Sequence, residues 1–140
     1  MSNFGYVPMA LRLLWKKGKE SIPNGPVFIS MNDYKVYRLA DVPFVWWEGF
    51  RLRYYWPRTE GTLGLWFCTL PGRRSISVSI WRDPEDLKRF VHSARHVKIM
   101  HRYKDAGNLI NTRWTADRFD RWLIWDQALD RLTSPRFPHH

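Results

Sequence analysis

Cysteine is almost absent from this 140-residue chain, in which Cys68 is the single thiol. One thiol excludes an intramolecular disulfide and a metal cluster held by several thiolates. No apolar run approaches the roughly 20 residues that a membrane-spanning helix requires. No secretory signal with a small-residue cleavage site is visible. These absences lead us to expect a cytoplasmic, single-domain globular protein.

The short signatures of several enzyme classes are missing as well. The sequence has no glycine-rich phosphate loop, no Rossmann fingerprint and no G-x-S-x-G nucleophile elbow. Cys68 falls in a predicted strand with no evident base nearby, which argues against a nucleophilic role. Motifs of this kind therefore do not identify a function.

Acidic residues are few relative to basic ones, with 13 Asp and Glu against 23 Lys and Arg, which gives a net charge of +10. Aromatic residues are abundant at 16 %, and nine of them are tryptophans. A basic, aromatic chain can bind nucleic acid, an anionic membrane surface or an anionic ligand. The surplus of tryptophan also suits a pocket for a planar hydrophobic ligand, because aromatic walls stack on π systems.

The chain divides into three parts. Residues 1–26 are predicted to form an N-terminal extension with a short basic helix from Met9 to Lys17. That helix packs on the domain or on a second subunit, or else lies on a membrane surface as a peripheral anchor. Residues 27–132 form the domain, and residues 133–140 are predicted to be a tail.

Hydrophobic periodicity, caps and turn residues predict the elements of the domain. They are a strand over Val27–Val36, a helix from Asp41 to about Trp56, strands over Thr62–Leu70 and Ser75–Trp81, a helix from Glu85 to about Lys104, a strand from Asn108 to Ala116 and a helix from Phe119 to Leu132. Within the last helix, residues 121–125 could instead be strand. The order is the βαββαβ of an α+β, ferredoxin-like domain with an antiparallel sheet.

The helix from Asp41 to Trp56 is apolar around most of its circumference, so we expect it to be buried on more than one side. Two helices on one face of the sheet leave the other face uncovered. We place the side chains of Ser75, Ser77, Ser79 and Trp81 on that open face, together with Trp66 and Cys68. A second subunit's sheet, the terminal segments or a bound nucleic acid could cover it.

Three histidines follow one another in the second predicted helix. His92 and His96 are four residues apart and so share one helix face, where they could bind a metal or a haem iron, or simply form a polar flank. His101 is expected to point toward the core stripe. Arg53, on the apolar arc of the first helix, either extends to solvent or orients an anionic group such as a haem propionate. Asp126 in the last helix could pair with an arginine or act as a base.

The stretch from Ser77 to Arg102 resembles the dimeric α/β-barrel superfamily, in particular its antibiotic-biosynthesis-monooxygenase and spheroidene-monooxygenase-like groups. The residues that carry the resemblance are a strand-ending Trp81, the acidic turn residue Asp83, and the helical Phe90, Ser93 and His96. The resemblance implies a homodimer in which two ferredoxin-like sheets close into a barrel. Members include cofactor-free oxygenases, haem-containing oxygenases, haem-degrading enzymes and proteins without known catalysis.

The resemblance therefore implies a small-molecule enzyme of secondary metabolism, an oxygenase that acts on a hydrophobic aromatic or polyene substrate. In a haem-dependent version His96 or His92 holds the iron, and in a cofactor-free version the tryptophans bind the substrate. The candidate catalytic residues are His96, His101, Tyr103 and Asn111. The candidate substrate-binding residues are Trp46, Trp47, Phe50, Arg53, Trp66, Trp81 and Trp114.

Other functions stay open at this point. A cyclase or isomerase could use the same pocket, and a dimeric binding or scaffold protein needs no catalysis. An RNA-recognition domain shares the element order. The strand from Arg74 to Trp81 lacks its Lys/Arg-Gly-Phe/Tyr signature, however, so we expect no nucleic-acid partner.

Overall fold

A computed structural model describes residues 15–133 of the chain. Its elements are β1 (Trp15–Lys17), β2 (Val27–Val36), α1 (Val42–Tyr55), β3 (Thr62–Leu70), β4 (Arg74–Trp81), α2 (Pro84–Val91), α3 (Ala94–Tyr103), β5 (Gly107–Ala116) and α4 (Arg121–Thr133). A short 3₁₀ turn precedes α1 and another, Trp56–Arg58, follows it. The predicted order of the domain is confirmed, and the ambiguous segment 121–125 is helical.

The described strands form one antiparallel sheet in the order β1-β3-β4-β2-β5. Without β1, this is the strand order of a ferredoxin-like sheet, in which the second and third strands form a hairpin and the first strand lies between the third and the fourth. The α+β, ferredoxin-like architecture is therefore confirmed for the domain.

The N-terminal helix prediction is wrong for the part of it that the structure describes. Trp15–Lys17 is not helical but pairs with the edge of β3, with Trp15 opposite Trp66. The pairing is possible because Gly64 leaves room for the Trp15 ring, which a Cβ at residue 64 would overlap. Stacking on Trp66, at 4.4 Å between ring centroids, then holds the strand in place. The remainder of the predicted helix, residues 9–14, lies outside the described residues.

The hairpin of β3 and β4 assigns side chains to the two sheet faces differently from the prediction. Leu70 pairs with Arg74 across a three-residue loop, so Trp66 lies opposite Val78 and Cys68 opposite Ile76. Trp66 and Cys68 therefore share a face with the aliphatic side chains of β4, not with its serines. We call the side that carries Ser75, Ser77, Ser79 and Trp81 the serine face, and the opposite side the α4 face.

Both faces of the sheet are covered, at least in part, by this chain's own helices. On the α4 face, Ile124 and Trp125 pack against Trp66 and the aliphatic side chains of β2 and β4. On the serine face, Trp56 and Leu87 pack against Trp81. The expectation that the serine face would be the uncovered one is thus wrong. Pairing with a second copy of the chain stays a prediction.

The second predicted helix is two helices. It breaks at His92 and Ser93, where the Ser93 backbone is extended and its hydroxyl oxygen accepts a hydrogen bond from the His96 amide at 3.3 Å. Ser93 is therefore the N-cap of α3, and α2 ends before it. The Ser-x-x-His spacing that carried the family resemblance acts here as a helix start.

Candidate functional site

An aromatic cluster joins the serine face to α2 and α3. Trp56 meets Trp81 edge to face at 5.1 Å between centroids, and Phe90 lies 5.2 Å from Trp81. The imidazole of His96 lies 4.9 Å from the Phe90 ring. Trp56 and Trp81 are fully buried. We call Trp56, Trp81 and Phe90 the aromatic wall. It begins inside the core, and His96 lies at its Phe90 end.

The environment of His96 keeps its imidazole neutral. Burial lowers the pKa of His96 below its usual value of 6.5, and a hydrogen bond with the Val91 backbone opposes the shift without cancelling it. The Nδ1 atom is enclosed and has no hydrogen-bond partner among the described residues. A neutral imidazole with an unused ring nitrogen can accept a proton from a ligand that displaces a neighbour and reaches it.

A groove of about 340 Å³ lies beside this wall, where α2 meets α3. Its lining consists of Thr59, Glu60, Asp86, Arg89, Phe90, Ser93 and Arg95. Phe90 supplies an apolar surface and also contacts His96, while the charges of Arg89 and Arg95 are balanced by those of Glu60 and Asp86. The volume is at the lower end of the range for small-molecule sites. The groove therefore suits a small aromatic ligand with polar substituents.

Asp86 orders the arginine side of the groove. Its carboxylate is 2 % exposed and accepts hydrogen bonds from Arg82 at 2.9 and 3.1 Å and from Arg89 at 2.8 Å. Burial alone would raise the pKa of Asp86, but the hydrogen bonds from the two guanidinium groups outweigh it and the pKa is lowered. Its backbone amide is capped by Asp83 at 3.0 Å. Asp86 thus fixes Arg89 in place.

Tyr103 lies at the far end of α3, near α1. Burial raises the pKa of Tyr103, and the carboxylate of Glu48 adds to the shift. Its carbonyl accepts a hydrogen bond from the Tyr34 hydroxyl at 2.7 Å, and burial and then Asp41 raise the pKa of Tyr34 to about 12. Both tyrosines therefore stay protonated at neutral pH and can donate hydrogen bonds.

Glu48 is a residue that the sequence interpretation missed. One of its carboxylate oxygens is buried without a hydrogen-bond partner among the described residues, and the other lies 3.6 Å from Arg51. The available signal was its position as an isolated acid between Trp47 and Gly49 in an otherwise aromatic helix. A buried, partly unpaired carboxylate of this kind is costly and marks a polar contact inside the fold.

Asn111 lies on β5, where the strand is exposed. Its amide nitrogen donates to Ser30 Oγ at 3.0 Å and to Asn32 Oδ1 at 2.7 Å. Its oxygen accepts from Arg113 Nε at 2.9 Å. The side chain is therefore engaged on both ends by its neighbours in the sheet, away from the aromatic wall.

The other two histidines stand apart from His96. His92 is exposed at the end of α2, with Nδ1 2.8 Å from the Lys88 carbonyl oxygen. Because the helix breaks after it, His92 does not share a helix face with His96. His101 is exposed on α3, so the expectation that it points into the core is wrong. The structure brings neither of them to the aromatic wall.

The predicted substrate-binding residues fall into three separate places. Trp81 belongs to the wall beside His96. Trp46, Trp47 and Phe50 are exposed on α1, against the expectation that this helix is buried on more than one side. Arg53 is half-buried on the same helix and has a contact of its own.

Trp66 and Trp114 lie on the opposite side of the sheet. Trp66 packs 5.0 Å from Trp125, and the Trp114 indole donates to Gln127 Oε1 at 2.8 Å while Arg131 covers its ring at 4.1 Å. Both therefore hold α4 to the sheet and do not reach the groove.

A haem site on His92 or His96 does not fit this arrangement. Nδ1 of His96 is enclosed by its neighbours, so an iron with its porphyrin has no room at this nitrogen in the observed packing. His92 holds Nδ1 against the Lys88 carbonyl and leaves Nε2 for a ligand, but its ring is exposed and does not line the groove, so no enclosed haem pocket adjoins it among the described residues. Within residues 15–133, no group of three or more His, Cys, Asp or Glu side chains could hold a metal ion.

Cys68 has no role at the groove. It is buried on the α4 face, and burial followed by the charge of Asp33 raises its pKa to about 12. Its thiolate is therefore not populated at neutral pH.

In the part of the chain that the structure describes, no helix has the length and apolar character to cross a membrane.

Comparison with known proteins shows a likeness of fold. SnoaB, a cofactor-independent oxygenase from Streptomyces nogalater, is 12 % identical with a TM-score of 0.54, covering 66 % of this chain and 95 % of that one. A candidate antibiotic biosynthesis monooxygenase from Nitrosomonas europaea is 8 % identical with a TM-score of 0.57, covering 69 % and 94 %.

A candidate monooxygenase from Fusobacterium nucleatum is 12 % identical with a TM-score of 0.60, and the match covers 76 % of this chain but 48 % of that one. No protein-family model and no curated protein sequence matches this chain. At these identities the likeness establishes the fold and not the chemistry. The chain thus has the ferredoxin-like fold of antibiotic-biosynthesis-monooxygenase-like proteins, as its resemblance to them predicted.

Proposed function

We propose that this protein is an oxygenase-like enzyme that works without haem and acts on a small aromatic substrate with an acidic proton. The observation that carries the proposal is the neutral imidazole of His96, whose Nδ1 is enclosed and unpartnered among the described residues beside the aromatic wall. The fold is shared with SnoaB, which is a cofactor-independent oxygenase. The groove next to the wall provides a binding place of suitable size.

The substrate in this proposal is a planar hydroxyarene with an acidic CH₂ group. Its ring displaces Phe90, which lines the groove and contacts His96. Arg89 and Arg95 line the groove and pair with the negative charge that develops on the substrate, in competition with Asp86 and Glu60. Thr59 and Ser93 add hydroxyl groups to the lining that can hydrogen-bond a polar substituent.

In the proposed reaction, the substrate displaces the Phe90 ring that lies against His96 and so reaches Nδ1, which removes a proton from the substrate and holds it. The substrate anion reduces molecular oxygen and combines with it to give a hydroperoxide on the same carbon. The proton held on His96 completes this hydroperoxide, which then loses water, formed from its outer OH group and the remaining hydrogen of the same carbon, to leave a ketone. Overall the CH₂ group and one O₂ give one C=O group and one water, so no external reductant is needed.

The test is oxygen uptake with tricyclic hydroxyarenes that contain an acidic CH₂ group. We expect one O₂ consumed per ketone formed, and His96→Gln to lower kcat by about a hundredfold or more. The matched controls His92→Gln and His101→Gln alter histidines away from the wall and should retain the rate.

A proton-transfer isomerisation that depends on His96 but proceeds without oxygen would replace the oxygenase proposal by the isomerase alternative. Equal rates for the native protein and His96→Gln would contradict the role of His96 itself. If no substrate reacts faster with the protein than without it, the oxygenase proposal and the isomerase alternative are both contradicted.

A further inference from the structure

Helix α1 is apolar on two sides, but the described chain covers only one. Toward the sheet, Gly49 meets the Phe67 ring and Leu52 joins the buried aromatic cluster. The opposite side carries large aromatic residues that remain exposed: Trp46 at 43 %, Trp47 at 61 %, Phe50 at 50 % and Tyr54 at 62 %. At about 100° per residue these four side chains span an arc of roughly 100°. We call them the aromatic face of α1.

A strongly basic helix, α3, lies next to α1. Residues 94–104, which comprise α3 and the residue after it, contain no acidic residue. They carry four exposed cations, Arg95, Lys98, Arg102 and Lys104. The Arg95 guanidinium lies 3.6 Å from the centroid of the Tyr55 ring, which ties the start of α3 to the end of α1. The two helices therefore present aromatic rings and positive charge on the same layer of the molecule.

The end of α1 adds to this charge. Arg58 is exposed just beyond the helix and lies 5.3 Å from the ring of Tyr54. The acid on α1, Glu48, is 11 % exposed and lies on the side of Arg51, about 100° or more around the helix from the aromatic face. No acidic side chain of α1 is therefore part of that face.

We propose that the aromatic face of α1 and the basic helix α3 dock on an anionic lipid membrane. Tryptophan and tyrosine favour the interface between lipid and water, and basic residues are attracted to anionic headgroups. A second copy of the chain fits the same surface less well. Two-fold pairing would bring two basic layers together, each on a chain of net charge +10.

Helix α4 offers a natural comparison on the other side of the sheet. It also exposes aromatic and aliphatic side chains, with Trp122 at 49 % and Leu123 at 41 %. Its charges balance, however, because Arg121 and Arg131 are matched by Asp126 and Asp130. An exposed tryptophan on α4 therefore controls for the loss of any surface aromatic residue.

The test is co-sedimentation of the full chain with vesicles of phosphatidylcholine, alone or mixed with phosphatidylserine. We expect binding to the mixed vesicles at low salt, weaker binding at high salt and little binding to phosphatidylcholine alone. The double variant Trp47→Ser with Phe50→Ser should weaken binding by at least about tenfold, while Trp122→Ser should not.

Charge is tested with a matched pair of reversals. Lys98→Glu with Arg102→Glu should weaken binding to the mixed vesicles, whereas Lys17→Glu with Arg118→Glu changes the net charge equally and should weaken it far less. Quenching of native tryptophan fluorescence by brominated lipid provides a readout that needs no variant. We expect quenching with mixed vesicles.

Three results would overturn the proposal. One is absence of binding and of quenching with the mixed vesicles. Another is equal loss of binding in the two charge reversals, which would show attraction by net charge alone. The third is a native dimer that the Trp47→Ser with Phe50→Ser variant converts to monomer, because the aromatic face would then be an interface between copies.

Discussion

Gly49 of α1 lies directly against the ring of Phe67 on β3, and a Cβ at residue 49 would overlap that ring. Gly49 is the residue of α1 that is buried, so this contact sets how closely the helix approaches the serine face. The Trp56 turn that follows α1 then enters the aromatic wall beside His96. The position of α1 is therefore linked to the geometry of the candidate site.

Gly49→Ala should destabilise the protein although alanine favours helix formation. Overpacking a well-filled contact costs about 1–3 kcal/mol, and the gain in helix propensity returns at most about 1 kcal/mol. Urea unfolding measures the difference. Gly25→Ala is the control, since nothing lies within 4 Å of a Cβ there. A Gly49→Ala protein more stable than the native one would show that α1 does not approach Phe67 so closely.

Asp86→Asn should lower the free energy of unfolding by about 1–3 kcal/mol at neutral pH, because Arg82 and Arg89 lose a charged hydrogen-bond acceptor. The folded-state pKa of Asp86 is lowered, so its stabilising effect is present above the unfolded-state value and is lost as the pH falls through the folded-state value. The difference between the two proteins should therefore shrink below about pH 4. Urea unfolding at a series of pH values measures it, and a difference independent of pH would contradict the ion pair.

Trp125→Ala should destabilise the protein by about 3–5 kcal/mol, because the side chain is buried against Trp66 on the α4 face. Trp122→Ala on the same helix removes an exposed ring and should cost far less. Thermal and urea unfolding compare the two. Equal and small effects would mean that α4 leaves the sheet in solution, which would free this face for the sheet of a second copy.

The order of the elements could be predicted from the sequence, but the pairing of sheet faces could not. Alternation in β3 and β4 shows which side chains of each strand point together. It does not show which side chains of β3 share a sheet face with the serines of β4. Interpreting Pro71–Arg74 as a four-residue turn places Trp66 with the serines. The actual loop has three residues, with Gly72 and Arg73 at positive φ. This difference of one residue moves the side chains of β3 to the opposite sheet face relative to those of β4.

Whether the candidate residues are buried could not be predicted from the sequence pattern either. An apolar stripe predicts that something covers it but not that the same chain does, and the aromatic face of α1 remains exposed. The break between α2 and α3 had a local signal, because Ser93 is a good N-cap residue and its hydroxyl accepts from the amide three positions later. Recognising that cap in the sequence is enough to separate His92 from His96.

The central claim is that His96 is a neutral base held beside an aromatic wall, and an NMR titration of the three described histidines tests it most directly. Because burial lowers the pKa of His96, we expect its imidazole to titrate below 6.5. Addition of a tricyclic hydroxyarene should shift the His96 resonances and leave those of His92 and His101 nearly unchanged. Titration of His96 at or above 6.5, with no response to the ligand, would contradict the account.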